Sequence, residues 1–251
     1  DGCPVRAYNV NTVGSKQIYG ASWTLSQNRQ RIILGAGGGP NCGVYTEGEA
    51  VDLTGGVDAR VRQLRHIRFA PTGQLLISGD NMYRTVALNL TAGSTSLFGT
   101  NIGGYSIKAI VGSGTNGYLG EGQDATLTRL AQNYEAGVAP VSGDLIIADR
   151  ENRRLRRVRS ADNKISLLAG NGSVRNNTNA GQGNLDVGLE KLNQPRGIVM
   201  DAVTGQLFVA DSSNHRIRVA NRLGEVSQAV GTGTAGAGGE ENEAPTNSTM
   251  N

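Results

Sequence analysis

Internal repetition is the feature that most constrains the fold of this chain, because a repeat of fixed composition implies a modular architecture. An apolar pair followed by Gly-x-Gly occurs four times and recurs after 77, 58 and 61 residues. The four copies lie at residues 33–37, 110–114, 168–172 and 229–233. Each copy has the composition of a short apolar strand that runs into a turn.

Further elements repeat in the same order between these copies. A polar turn that leads into an apolar strand occurs at residues 72–77, 142–147 and 204–209. An Asp-x-x-Asn-x-Arg-x-Arg run follows it twice, at residues 149–156 and 211–218. We expect the carboxylates of these runs to pair with their arginines, within a blade or across to its neighbour; the residues are Asp149, Arg154, Arg156, Asp211, Arg216 and Arg218.

One unit therefore contains four short strands, which in the last unit are predicted near residues 197–201, 206–210, 216–220 and 226–230. Four strands per unit at this spacing predict an all-β protein built from β-propeller blades. No segment keeps the 3.6-residue apolar period of a helical repeat.

About three and a half blades can be placed on the sequence. Three complete units are predicted at residues 61–114, 130–172 and 192–233, and part of another lies near residues 23–35. We therefore divide the chain into an N-terminal segment, 1–60, with the partial blade and both cysteines, and a blade region, 61–251, that ends in a polar tail.

The last unit carries a family resemblance. Its strings Gln-Pro-Arg-Gly-Ile at 194–198, Leu-Phe-Val-Ala-Asp at 207–211 and Asn-His-Arg-Ile-Arg-Val at 214–219 resemble an NHL repeat. The resemblance extends over roughly residues 60–240 and weakens near residues 79–84, where the Asp-x-x-Asn-x-Arg pattern is lost. NHL propellers usually have six blades, and their functions include protein binding, RNA binding and a few enzymes, so the resemblance implies a fold rather than a function.

Two kinds of residue favour a secretory route. Cys3 and Cys42 form a pair in the N-terminal segment, which suits an oxidising compartment. Four Asn-x-Ser/Thr acceptors for N-linked glycans occur in Gly- and Asn-rich stretches, at Asn89, Asn171, Asn176 and Asn247. No apolar run reaches the ~18 residues of a membrane span. We predict an extracellular glycoprotein.

Motifs that suggest chemistry have simpler interpretations. Gly-x-Gly-x-x-Gly at 112–117 and 231–236 matches a dinucleotide fingerprint, but no helix pattern follows it, and it recurs with the blades, so we interpret it as an inter-blade loop. NHL-like amidating lyases need several histidine ligands, and this chain has only His66 and His215. We predict no catalytic residue, metal or cofactor.

The densest charge lies beyond the repeat pattern, at Arg150, Arg153, Arg157 and Arg159. A basic patch of this kind would suit an RNA-binding face, because guanidinium groups bind phosphate well. Few aromatic residues accompany it, so base stacking has little support and we do not favour nucleic acid as a partner.

Three functions follow from these observations. The leading hypothesis is a structural or protein-interaction propeller, whose incomplete ring leaves strand edges open and joins other copies of itself, or another extracellular protein, into an oligomer or filament. The alternative is a recognition propeller that binds a protein, glycan or RNA ligand on one face. The third is a hydrolase or lyase of the six-bladed type.

We predict that Cys3 and Cys42 form a disulfide, which would close a loop of about 40 residues and stabilise the fold by about 4 kcal/mol in the chain-entropy description. Intact mass after alkylation, with and without reductant, measures this directly. Two alkylated thiols in the unreduced protein would contradict the prediction.

Overall fold

The structure is a computed structural model that describes residues 64–104, 106–173, 191–221 and 226–236, together with five strands before residue 60. Its strands are β1 (Val5–Tyr8), β2 (Lys16–Gln17), β3 (Thr24–Leu25), β4 (Gln30–Leu34), β5 (Asp52–Thr54), β6 (Leu64–Phe69), β7 (Leu75–Gly79), β8 (Thr85–Leu88), β9 (Thr95–Leu97), β10 (Thr100–Ile102), β11 (Ser106–Val111), β12 (Asn133–Val138), β13 (Leu145–Asp149), β14 (Arg154–Val158), β15 (Ile165–Ala169), β16 (Pro195–Met200), β17 (Leu207–Asp211), β18 (Arg216–Ala220) and β19 (Val226–Val230).

The predicted all-β architecture of antiparallel blades is confirmed. The first blade has the strand order β5-β11-β8-β7-β6, the second β12-β13-β14-β15 and the third β16-β17-β18-β19. Three two-stranded sheets pair β1 with β4, β2 with β3, and β9 with β10. β5, which lies before the predicted boundary at residue 60, pairs with β11 as a fifth strand of the first blade.

The hairpin between the first two strands of each blade depends on the repeated turn glycine. Gly73, Gly143 and Gly205 have φ values of 92°, 72° and 71°. Residues with a side chain rarely adopt this left-handed backbone, so the polar turn seen in the sequence needs glycine at this position.

Apolar faces of neighbouring blades form the core. One cluster joins the first and second blades and includes Leu76, Ala136 and Ile147. A second cluster joins the second and third blades and includes Ile146, Ile198 and Val209. The first strands of the three blades, β6, β12 and β16, also pack against one another in sequence order. We call the face turned toward the preceding blade the upstream face and the opposite one the downstream face.

A buried carboxylate holds the start of each of the two later blades. Asp149 is fully buried and accepts hydrogen bonds from the main-chain N–H of Ala131 and from Asn152 Nδ2, both at 2.8 Å. Burial raises the pKa of Asp149 to about 6, while these hydrogen bonds and Arg156 oppose the shift. Arg156 is equally buried and lies 3.7 Å from the carboxylate.

The third blade repeats this arrangement. Asp211 accepts hydrogen bonds from the N–H of Asn193 at 2.7 Å and from Asn214 Nδ2 at 2.8 Å. Arg218 Nε donates to the same carboxylate at 3.2 Å, and burial raises the pKa of Asp211. The Asp-x-x-Asn-x-Arg-x-Arg pattern therefore encodes a buried Asp–Asn–Arg triad in each of the two later blades, with the second arginine of the run as its cation.

The first arginine of the run has a different role, so its predicted pairing with the aspartate is corrected. Arg154 Nη2 donates to the main-chain oxygen of Asn171, and Arg216 Nη2 donates to that of Thr232. Both acceptors are the middle residue of Gly-x-Gly, and Arg84 donates to the equivalent Ser113 in the first blade. These arginines fasten the loop that leaves each blade.

The position of this arginine also explains why the last residue of Gly-x-Gly is glycine. A Cβ on Gly172 would lie 2.3 Å from the Arg154 guanidinium, and one on Gly233 would lie 2.2 Å from that of Arg216. The three Gly-x-Gly runs that the structure describes, within the copies at 110–114, 168–172 and 229–233, are therefore loops that leave a blade, and the Gly-x-Gly of the copy at 33–37 lies outside the described residues. The helices among the described residues are the single turns Ala125–Leu127 and Ser212–Asn214.

The first blade has lost all three members of the triad together. The positions of Asp149, Asn152 and Arg156 are filled there by Gly79, Met82 and Val86. Met82 and Val86 are both fully buried. A buried ion pair replaced as a unit by apolar residues can keep its stability, whereas removal of one partner leaves an unpaired buried charge.

We expect the Arg156→Val variant to lower the free energy of unfolding by about 3–5 kcal/mol, because Asp149 would stay buried without its cation. The variant that copies the first blade, Asp149→Gly with Asn152→Met and Arg156→Val, should cost less than the sum of the three single changes. Urea unfolding measures each variant, and Arg159→Ala on the surface serves as the control. Additive costs would contradict the coupling.

Candidate interaction site: the axial strands and the open blade faces

A buried glutamate ties together the first strands of all three blades. Glu135 in the second blade is 3% exposed. Its Oε1 lies 2.5 Å from Arg68 Nη2 and 3.3 Å from His66 Nε2 of the first blade. Its Oε2 accepts the N–H of Ile198 in the third blade at 2.9 Å, and Arg68 also donates to the oxygen of Ile198 at 3.1 Å.

The environment of His66 shows that this cluster is structural. Burial lowers the pKa of His66, Glu135 opposes the shift, and Arg68 adds to it. The Glu135 carboxylate is engaged on both oxygens. Gly197 takes the place of Glu135 in the third blade and lies next to that carboxylate, since a Cβ there would be at an ordinary van der Waals distance of 3.8 Å from Oε2.

We call the first strands of the three blades, β6, β12 and β16, the axial strands. The upstream face of the first blade is exposed to solvent at its axial strand, β6. Ala136 and Ile198 occupy the same repeat position in the second and third blades and are 1% and 2% exposed, because the preceding blade covers them. Their counterpart Ile67 is 49% exposed, and Phe69 beside it on the same face is 64% exposed. Among the described residues, nothing covers this apolar pair as the other two blades are covered.

The downstream face of the third blade is open at the corresponding strand. Val199 is 54% exposed, whereas Gly137 at the same position of the second blade is buried against the next blade. The sequence analysis did not single out Ile67, Phe69 or Val199. A comparison of equivalent repeat positions could have identified these three residues only if it were known which blade faces pack against another blade.

Cationic and aromatic side chains meet on the rim next to these strands. Arg65 and Arg196 lie 6.0 and 5.6 Å from the centroid of the Tyr134 ring. All three residues occupy the same repeat position, one per blade. Arg65 also donates to Asp80 at 2.6 Å. The rim is thus a short row of guanidinium groups around one aromatic ring.

The predicted basic patch does not form as one surface. Arg150 donates to Gln132 and Gln194, and Arg153 donates to the main chain of Glu151, at one end of β14. Arg157 lies near the other end, in a cavity between blades, and Arg159 pairs with Asp162 beyond it. These four cations are therefore separated by a strand.

The glycan acceptors divide into three groups. Asn89 is corrected, because it is 2% exposed and its Nδ2, the atom that would carry a glycan, donates to the main-chain oxygens of Gly93 and Gly103 at 2.7 and 3.0 Å. Asn171 is partly exposed in the loop after the second blade. Asn176, Asn247, Cys3 and Cys42 lie outside the described residues.

Two further observations on the described part of the chain concern metal ligands and membrane-spanning helices. It contains no group of three or more His, Cys, Asp and Glu side chains that could hold a metal ion. It contains no helix long and apolar enough to span a membrane.

Comparison with known proteins agrees with the third blade. The NHL repeat family matches residues 192–220, which run from the start of that blade to the end of β18. The third blade is an NHL repeat. The chain thus carries one NHL repeat within an all-β fold of β-propeller blades, as its repeat pattern predicts. None of the curated proteins compared with this chain matches its sequence.

Several solved structures are similar to part of this chain at low sequence identity. Virginiamycin B lyase from Staphylococcus aureus has 12% identity and a TM-score of 0.38 over 66% of this chain and 40% of the lyase. A putative phosphatase from Bacteroides thetaiotaomicron has 19% identity and a TM-score of 0.44 over 65% and 34%. An auxiliary nutrient binding protein from Bacteroides ovatus has 12% identity and a TM-score of 0.35 over 75% and 53%. This chain spans about two fifths of the lyase's length.

We expect a glycan at Asn171 and none at Asn89, because only the first side chain can carry a sugar without breaking buried hydrogen bonds. Peptide mass spectrometry of protein from a glycosylating host measures both sites. Ser173→Ala is the matched control, since it removes the Asn171 acceptor alone. Glycan at Asn89 in folded protein would contradict the structure.

Proposed function

We propose that this protein is an extracellular structural and protein-interaction module whose arc of blades is continued by a second copy of the chain. The observation that carries the proposal is the exposed position of Ile67, which is 49% accessible where Ala136 and Ile198 are buried. An apolar position that repeats with the blades is open only on the first of the three.

The interfaces inside the chain indicate what such a face accepts. The downstream face of the first blade covers Ala136, and the downstream face of the second covers Ile198. The partner that fits the face with Ile67 and Phe69 is therefore the downstream face of another blade. The third blade of a second copy offers one, with Val199 exposed at its axial strand.

Contact between the two unlike ends gives a head-to-tail assembly. Such an interface uses a different surface on each partner, so every added copy presents a new open face. The result is a ring when the rotation closes and a filament when it does not. The same contacts would serve a structural role outside the cell, which the Cys pair and the accessible acceptor Asn171 support.

A recognition role is the second candidate, and the rim beside the axial strands favours it. Arg196 is exposed and stacks near Tyr134, with Arg65 on the other side. Guanidinium groups around an aromatic ring suit an acidic protein segment or an anionic glycan. The hydrolase or lyase hypothesis gains no residues, because each buried carboxylate of the described blades is already engaged: Asp149 and Asp211 in the Asp–Asn–Arg triads, Glu135 with Arg68 and Ile198, and Asp80 with Arg65.

Two substitutions test the assembly by closing one end each. Phe69→Asp places a charge on the upstream face of the first blade, and Val199→Asp places one on the downstream face of the third. Both residues are more than half exposed, so we expect either variant to fold. Sedimentation velocity should show that the unmodified protein forms species larger than a dimer and that each variant alone is monomeric.

An equimolar mixture of the two variants distinguishes head-to-tail assembly from nonspecific association. Each variant keeps one competent end, so the mixture should form dimers and stop there. Circular dichroism and the midpoint of thermal unfolding control for folding of each variant. A monomeric unmodified protein across the concentration range, or a mixture without dimers, would contradict the proposal.

A further inference from the structure

A cavity of about 240 Å³ lies between the second and third blades. Most of its walls are apolar, and the side chains that matter most are Ala139, Ile146, Leu168, Met200, Leu207 and Ala220. The cavity opens to solvent beside the exposed residues Pro140, Val141 and Ser142, so a small ligand has a path into it.

Arg157 lines this cavity and has no anionic partner among the described residues. Its Nε is buried without a hydrogen bond. Ser166, which pairs with Arg157 across β14 and β15, has a buried Oγ that also lacks a hydrogen bond. Cross-strand partners lie on one face of a sheet, so both polar atoms are available to a polar group bound in this cavity.

The repeat makes the position of Arg157 more unusual. Its counterparts are Val219 in the third blade and Ala87 in the first. Ala87 is fully buried in the core between the first and second blades. A charged residue thus replaces an apolar one at an interface position where the preceding interface is packed.

The preceding interface shows what fills the equivalent space. The first blade has an extra hairpin, β9–β10, between its third and fourth long strands. Leu97 and Ile102 of this hairpin belong to the core cluster, and Phe98 packs against it. The same cluster contains the counterparts of the cavity walls, which are Ala70, Leu76, Ile110, Val138, Leu145 and Val158.

The second blade has no such hairpin. Its third and fourth strands are joined directly through residues 159–164, where the N–H of Asn163 donates to the oxygen of Arg159 at 2.9 Å. The space that the hairpin fills at the first interface is therefore vacant at the second. The apolar hairpin β9–β10 thus fills the space at the interface of the first and second blades. At the interface of the second and third blades, Arg157 lies beside an apolar groove instead.

We infer that this cavity binds a small apolar carboxylate, whose hydrocarbon body takes the place of the hairpin and whose carboxylate pairs with Arg157. A guanidinium group matches a carboxylate with two parallel hydrogen bonds. The volume suits a ligand of about ten non-hydrogen atoms, below the usual range for drug-sized molecules. Asp144 lies at the polar side of the cavity, where its Oδ1 accepts the N–H of Ser160 at 2.8 Å, so the ligand's carboxylate must lie nearer to Arg157 than to Asp144.

Octanoate is a suitable probe, and octanamide is its uncharged counterpart of the same shape. Isothermal titration should show that the full chain binds octanoate about tenfold more tightly than octanamide, a ratio that corresponds to one charge-assisted contact. Arg157→Val, which copies the residue of the third blade, should abolish this preference. Arg159→Ala is the matched control, because that arginine is exposed and pairs with Asp162.

A second variant tests the apolar wall separately. Ala220→Leu fills the groove and leaves Arg157 in place, so it should weaken both probes alike and raise the midpoint of thermal unfolding. Equal affinity of the unmodified protein for the two probes, no binding of octanoate, or unchanged binding by Arg157→Val would overturn the inference. These results do not depend on whether copies of the chain associate.

Discussion

A carboxylate withdrawn from water at the end of the second strand organises each of the later blades. In the second blade it is Asp149, which accepts the N–H of Ala131 and so fixes the point where the chain enters the blade. Arg156 provides the opposite charge and also bonds to Glu121 at 2.8 Å and to the oxygen of Arg129 at 3.1 Å, both in the loop that arrives from the first blade. One buried pair therefore positions the incoming loop, the hairpin and the third strand together.

The neighbouring arginine completes this frame from the other side. Arg154 starts the third strand and fastens the Gly-x-Gly loop by the oxygen of Asn171 at 2.9 Å. Loops that carry unpaired main-chain oxygens need such donors. The two alternate arginines of one strand thus hold different loops. The first arginine holds the loop that leaves the blade, and the second holds the loop that enters it. The first blade keeps the outgoing clamp through Arg84 but replaces the incoming one with apolar packing at Met82 and Val86.

Repetition made most of the architecture predictable. Two strands of the third blade, Arg216–Ala220 and Val226–Val230, lie where the sequence placed them, because turn residues and alternating apolar residues bound them on both sides. The roles of Arg154 and Arg156 could not be separated, since both alternate positions carry the same side chain. The burial of Asn89 depends on the hairpin β9–β10, an insertion that breaks the period and has no counterpart from which to reason.

The candidate surfaces were harder to foresee for the same reason. A sequence repeat assigns equal environments to equal positions, and the roles proposed for Ile67, Val199 and Arg157 depend on where those environments differ. Exposure at the two ends depends on what lies beside a blade, which a local pattern does not contain. Only Arg157 gave a signal in the sequence, as a charge in an apolar register.

The glutamate on the axis has a consequence for cooperativity. In most repeat proteins each unit contacts only its neighbours, and unfolding can proceed from the ends as in a one-dimensional Ising chain. Here Arg68 of the first blade reaches the oxygen of Ile198 in the third at 3.1 Å, and Glu135 bridges both. A state in which the first or the third blade unfolds alone loses these hydrogen bonds, so its free energy is raised relative to the state with all three blades folded. The three blades are thereby joined into a single cooperative unit.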